Sequence, residues 1–174
     1  PDGVQITRVD DKSLSEMLAS GEIDCAIIAR PPNSFLEGNT DIERLFPDYL
    51  KMEEDYFEQT GVWPIMHIIA MQRHILDANP WVARNLLNAF NKSKSRSLTR
   101  MLDPAVSRYP LPWLPTYGRK MQEMFGDDPF PFGIEENRST WEQMLLYSYQ
   151  QGIAHKHVQP EDIFPKGIMT SVVI

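Results

Sequence analysis

The stretch LASGEIDCAIIARPP, residues 18–32, decides the fold that the sequence predicts. Gly21 is suited to the left-handed conformation that ends a helix, and residues 25–29 form an unbroken apolar run that is too short for a helix. Such a run is typical of a parallel strand buried on both faces. Two prolines end it, because proline cannot donate to a strand ladder. The stretch therefore predicts an α/β fold.

Arg30 stands where this predicted strand ends. In open α/β sheets, ligands bind beyond the carboxyl ends of the strands, so an arginine at this position is a candidate anion clamp. From this stretch alone, a solvated arginine at the start of a loop is the better interpretation.

The composition describes an ordinary globular protein and excludes several function classes. The chain has 174 residues, enough for one sizeable domain or two small lobes, and 24 acidic against 17 basic residues give a net charge of −7. No basic block and no bilayer-length apolar run stands out, so we expect no nucleic-acid partner and no membrane contact. A single cysteine, Cys25, excludes an internal disulfide framework and metal sites built on several cysteines. The start lacks an initiator Met, and we expect the later part of a longer protein.

Helix and strand patterns continue along the chain. Ser13 is a predicted N-cap for the helix that Gly21 ends. A second apolar run, residues 65–71, again predicts a buried strand. Pro80 begins the longest predicted helix, which extends to about Leu102. Basic residues gather in its second half, where the helix dipole favours cations, and we interpret them as helix-end chemistry.

The later part of the chain is predicted to be helical and irregular. Residues 103–117 are rich in proline and aromatic residues, which predicts an ordered connection without regular structure. Ser139 and Glu142 predict a capping box for the helix that follows. We expect residues 1–62 to form part of one α/β lobe. We expect residues 63–174 to hold a strand crossing and a C-terminal helical part that packs on the other lobe.

Several short phrases occur in an order that resembles a known family. They are LFPDY (45–49), GVWPIMH (61–67), NPWVA (79–83), FGIEENR (132–138), YSYQQG (147–152) and PEDIF (160–164). Together they look like the 4,5-dihydroxyphthalate decarboxylase family, whose members share the type 2 periplasmic-binding-protein fold. The resemblance covers residues 18–164, and it corresponds to the later half of a typical family member.

The resemblance implies a fold and an activity. The fold would be type 2 periplasmic-binding-protein-like, with two α/β lobes around a ligand cleft, here incomplete because the family's first half is absent. The activity would be that of a carboxy-lyase that converts a dihydroxyphthalate-like aromatic dicarboxylate to a dihydroxybenzoate. The alternative is a non-catalytic small-carboxylate solute-binding protein of the same fold. We expect a small aromatic carboxylate as partner, a cytoplasmic location, no cofactor and no metal; the oligomeric state stays open.

Five residues are candidates for this chemistry. Arg30 and Arg138 are predicted to bind the substrate, because the planar guanidinium fork matches a carboxylate; Arg138 could equally be a surface residue beside a helix cap. His67 is the catalytic candidate, as proton donor or partner of a ring hydroxyl, because imidazole titrates near neutral pH. As a lone histidine in an apolar run, it could equally be a core residue. Trp113 and Phe132 could stack on an aromatic ligand, although such residues more often pack loops.

Overall fold

The computed structural model describes residues 3–38 and 41–168. Their regular structure is entirely helical, and no β-strand occurs within these two ranges. The prediction of an α/β, type 2 periplasmic-binding-protein-like fold with two α/β lobes is therefore wrong for the described residues. The α-helices are α1 (Leu14–Ala19), α2 (Asn33–Leu36), α3 (Tyr49–Thr60), α4 (Arg73–Ala78), α5 (Val82–Leu102), α6 (Leu114–Phe125), α7 (Arg138–Gln150) and α8 (Pro160–Ile163), with 3-10 turns at Glu135–Asn137 and Lys166–Ile168.

Both apolar runs that were predicted as buried strands are irregular and largely exposed. In residues 25–29 the side chain of Ile27 is 97% exposed, and in residues 65–71 that of Met66 is 78% exposed. A strand exists only where a neighbouring segment completes its backbone hydrogen bonds, and no such ladder forms in the described part of the chain. An apolar run indicates a preference for burial but carries no information about a pairing partner. That is why these two predictions fail.

The contacts divide the chain into two units, Pro1–Gln59 and Thr60–Ile174. The predicted division lay between residues 62 and 63, and its assignment of lobes stays a prediction. Residues 1–2, 39–40 and 169–174 of those predicted parts lie outside the described residues.

The first unit contains α1, α2 and all but the last residue of α3. The predicted N-cap of α1 is confirmed: Ser13 Oγ accepts from the backbone N–H of Glu16 at 3.2 Å, and the Ser13 backbone N–H donates to the Glu16 carboxylate at 2.8 Å. This reciprocal capping box satisfies two donors that a helix start leaves free. Gly21 has a φ of +74° two residues after the helix, as its sequence position predicts.

In the second unit, α5 packs on α6. The prediction of α5 is confirmed within two residues. Gly118 of α6 is buried, and a Cβ atom there would come within 2.6 Å of the Leu102 side chain. The expectation that residues 103–117 hold no regular structure is wrong for residues 114–117, because α6 already begins at Leu114. Pro115 lies in its first turn, where the missing N–H costs nothing.

The most deeply buried side chains of the second unit surround α7. Trp141 is 6% exposed and meets the ring of Phe164 edge to face, with 4.9 Å between the ring centroids. Ile134 and Leu145 are also buried, as is Pro160, the first residue of α8. This aromatic and aliphatic core fixes α8 against α7.

The predicted capping box at the start of α7 is wrong. The 3-10 turn Glu135–Asn137 runs directly into the helix, so α7 begins at Arg138 and Ser139 lies inside its first turn. Asn137 occupies the cap position without a side-chain cap bond, and its amide instead donates to the carbonyls of Pro131 at 2.9 Å and Gly133 at 3.0 Å. The amide therefore ties the preceding turn to the start of α7.

Candidate functional site

Arg138, the first residue of α7, lies among three carboxylates. Its guanidinium donates to both oxygens of Glu135 at 2.5 and 3.0 Å, to Glu161 at 2.6 Å and to Glu142 at 3.4 Å. Glu135 belongs to the 3-10 turn and Glu161 to α8, so the arginine connects three helical elements. We call these four residues the Arg138 cluster.

Hydrogen bonding within the Arg138 cluster shifts the pKa values of its members. The hydrogen bond from Arg138 holds the pKa of Glu135 below its ordinary value, and it does the same for Glu161. The hydrogen bonds to Glu135 and Glu161 raise the pKa of Arg138. Because four of the five N–H donors of Arg138 already serve carboxylates of the protein, bidentate binding of a substrate carboxylate would have to displace one of them.

Phe132 lies in an aromatic turn that is fixed to α5. Its ring meets Phe130 edge to face at 6.3 Å, and the Lys94 ammonium lies 4.2 Å from the Phe132 ring centroid. The same ammonium donates to a carboxylate oxygen of Asp128 at 2.5 Å and to the Phe130 carbonyl at 2.9 Å. The Lys94 side chain is only 12% exposed, so its charge interacts with these groups of the protein and not with solvent.

The structure brings two of the five predicted site residues into neighbouring positions. Asn137 binds the carbonyls on both sides of Phe132 and directly precedes Arg138, so the aromatic turn is held at the start of α7. His67 lies exposed in the irregular run 65–71. No hydrogen bond or ring contact in residues 3–38 and 41–168 joins it to Phe132 or Arg138. Arg30 is exposed and belongs to the first unit, where it lies in a bend.

Trp113 is exposed and has an unusual backbone conformation. It precedes α6 with a φ of +59° and a ψ of 12°, the left-handed region that bulky residues rarely adopt, and its side chain is 81% exposed. Among the described residues of the second unit, nothing covers this indole. Strain of this kind occurs often at binding sites, which makes Trp113 a reasonable candidate for ligand contact.

An open hollow on the side of α5 was missed by the reasoning from sequence. Its volume is about 480 Å³, and we call it the basic hollow. It is lined by Ala89, Lys92, Ser93, Arg96, Ser97, Arg100 and Tyr109. The interpretation of the basic residues as helix-end chemistry is incomplete, because the dipole acts mainly in the last turn, and Arg100 alone among them lies there. The spacing 92, 96 and 100 on a helix without acidic residues is the pattern that could have revealed it.

Two kinds of feature are missing from the described ranges. No group of three or more His, Cys, Asp or Glu residues is placed to hold a metal ion within residues 3–38 and 41–168. Across the same part of the chain, no helix combines the length and apolar character that a membrane span requires.

Comparison with known proteins supports the resemblance that the sequence phrases indicated. No family model matches the chain. A curated 4,5-dihydroxyphthalate decarboxylase from Comamonas testosteroni is 29% identical over 175 aligned residues, which cover 100% of this chain and 53% of that protein. The chain thus spans about half the length of the curated relative it matches. The predicted resemblance to 4,5-dihydroxyphthalate decarboxylase is confirmed, and it extends over the whole of this chain.

Proposed function

We propose that this chain is part of a carboxy-lyase that acts on an aromatic carboxylic acid, with a dihydroxyphthalate-like diacid as substrate. The observation that carries the proposal is the similarity of the entire chain to a curated protein of that name. Decarboxylation as a reaction class rests on this relative, whereas the choice of substrate rests on its printed name and on the chemistry of the candidate residues.

The proposed reaction breaks the bond between a ring carbon and one carboxylate. Carbon dioxide leaves, the bonding electron pair stays on the ring carbon, and a proton replaces the lost group. His67 is the proposed proton donor, because its side chain is exposed and histidine is the residue most often used in general acid–base catalysis. A ring hydroxyl supplies electron density to the carbon that is protonated, so the proposed reaction uses no cofactor.

The remaining candidates are proposed to hold the substrate. In the first unit, Arg30 is proposed to bind a carboxylate; in the second unit, Trp113 and Phe132 are proposed to contact an aromatic ring. The exposure of Arg30 and Trp113 supports these roles, since both side chains can reach a ligand without breaking internal contacts. Arg138 can bind a substrate carboxylate in a bidentate manner only by giving up one of its bonds within the Arg138 cluster.

The test is turnover of 4,5-dihydroxyphthalate by the purified protein, expressed from its complete reading frame. We expect release of carbon dioxide and formation of 3,4-dihydroxybenzoate, measured by gas analysis and chromatography. His67→Gln should lower the turnover number by roughly 10²- to 10⁴-fold, the usual contribution of a general acid, while substrate binding is retained.

His74→Gln is the matched control, because His74 is an exposed histidine on α4 and should leave turnover unchanged. Failure to release carbon dioxide would overturn the proposal. Binding of the compound without any chemical change would instead favour the solute-binding alternative. Equal losses in the two histidine variants would remove His67 from its proposed role.

A further inference from the structure

Three cations follow one face of α5 at intervals of four residues. Lys92, Arg96 and Arg100 all line the basic hollow, and eight residues of helix separate the first from the last by about 12 Å. Ser93 and Ser97 lie between them on the same face. All of these side chains are exposed, so their charged groups are accessible from solvent.

The fold itself gives no reason for this arrangement. Like charges four residues apart on a helix repel each other, and α5 contains no acidic residue that could separate them. Within the described part of the chain, none of the three cations forms an ion pair. Asp103, the first acidic residue after the helix, accepts a hydrogen bond from the backbone N–H of Ala105 at 2.9 Å. Lys94 of the same helix, by contrast, is paired with Asp128.

The proline-rich segment after α5 completes the hollow with an aromatic wall. Tyr109 lies in this segment, and its side chain faces the same space as the three cations. Two short hydrogen bonds fix the local backbone, because the Tyr109 carbonyl accepts from Ser107 Oγ and from the Leu111 N–H, both at 2.8 Å. The phenol offers a ring face and a hydroxyl beside the guanidinium groups.

We propose that the basic hollow binds a small aromatic acid that carries two or more carboxylates. The cations of α5 bind the carboxylates, and the aromatic ring packs on Tyr109. A volume of about 480 Å³ falls within the range of small-molecule sites. Guanidinium forks match planar carboxylates in a bidentate manner. Phosphate sites usually use free backbone N–H groups at helix starts or in glycine-rich loops, whereas the N–H groups on the side of a helix are already bonded. The choice of an aromatic acid rests on the proposed function.

The test is calorimetric titration of the purified protein, from its complete reading frame, with phthalate. Arg96→Ala should weaken phthalate binding by about ten- to a hundredfold, the usual effect of losing one charge-assisted hydrogen bond. Arg84→Ala is the matched control: it removes the same charge from α5 outside the basic hollow and should change affinity less than twofold. Tyr109→Leu should weaken phthalate binding more than it weakens binding of a non-aromatic dicarboxylate such as succinate.

Four outcomes would overturn the inference. They are an equal loss in the Arg84 and Arg96 variants, no measurable phthalate binding, benzoate binding as tightly as phthalate, and tighter binding of pyrophosphate through the same residues. Thermal denaturation of each variant verifies that it folds. Phthalate lacks the ring hydroxyls that the proposed decarboxylation requires, so its binding can be measured without turnover. If phthalate binds at the hollow but 4,5-dihydroxyphthalate releases no carbon dioxide, only the proposed function is overturned. If the protein turns over 4,5-dihydroxyphthalate but Arg96→Ala binds phthalate as the parent does, only this inference is overturned.

Discussion

The Arg138 cluster and the basic hollow, both in the second unit, use arginine in opposite ways. In the cluster one guanidinium serves three carboxylates of the protein, whereas in the hollow three cations share no carboxylate within the described residues. The first arrangement connects a 3-10 turn, α7 and α8. The second leaves positive charge directed toward solvent. The comparison shows that an arginine whose donors are used by the fold supports structure, and that unpaired arginines are the ones available to a ligand.

The largest expected effect concerns the core around α7. Trp141→Ala should lower the free energy of unfolding by about 3–5 kcal/mol, because it removes a buried aromatic side chain and its edge-to-face contact with Phe164. Urea denaturation followed by circular dichroism measures this change. Trp81→Ala, at an exposed tryptophan, should cost about 0.5 kcal/mol or less. Similar losses in both variants would show that α7 does not carry the core.

A second prediction contrasts Trp141 with the exposed Trp113. Trp113→Asn should raise the free energy of unfolding by about 1 kcal/mol, because asparagine tolerates the left-handed conformation better and the exposed indole contributes little packing. If Trp113 contacts the ligand, the same change should weaken binding of 4,5-dihydroxyphthalate. A destabilised variant would contradict the assignment of backbone strain at this position.

A third prediction tests whether the hollow's charges are a cost to the fold. Arg96→Glu places a carboxylate four residues from Lys92 and from Arg100, so two repulsions become attractions. The free energy of unfolding should rise by about 0.5–1 kcal/mol, while phthalate binding is lost. Chemical denaturation and calorimetry measure the two effects separately. A fall in stability would mean that Arg96 supports the fold, as Arg138 does.

The smallest expected effect is the pH dependence of the Arg138 cluster. The pKa values of Glu135 and Glu161 are lowered by Arg138, so the stabilisation is present above the ordinary carboxyl value of 4.5 and is lost as the pH falls through the lower folded-state values. Arg138→Met should therefore lower the melting temperature at pH 7 by a small amount, since the ion pairs are partly exposed. The difference from the parent protein should shrink near pH 3. A gap that is equal at both pH values would contradict the linkage.

The local elements of this fold were predictable from the sequence, and so was the resemblance to 4,5-dihydroxyphthalate decarboxylase. The Ser13 cap, the glycine that follows α1 and the extent of α5 depend on interactions within a few residues, which a sequence pattern records directly. The order of short phrases indicated the relative that the comparison then found. Each of these features is a property of adjacent or periodically spaced residues.

The candidate site could be predicted from the sequence only in part. Residue type alone made Arg138 and Arg96 equivalent, yet one lies among three carboxylates and the other lines an open hollow. The spacing of the basic residues on α5 can be seen in the sequence, whereas the return of Tyr109 to the same face cannot. The charge environment of each arginine is set by residues distant in the chain.

The cap of α1, the long helix α5 and the similarity to a decarboxylase could be inferred from the amino-acid sequence alone, because each is encoded in a short-range pattern. That residues 25–29 and 65–71 do not form strands became known from the three-dimensional structure, since a strand needs a second segment to complete its hydrogen bonds. The three-dimensional structure also shows which cations are neutralised. The carboxylate of Glu161 binds Arg138 although the two residues are 23 positions apart in the chain, whereas no carboxylate of the described residues pairs with the three cations of the basic hollow. Pairing across the chain is a three-dimensional property, and composition and periodicity do not contain it.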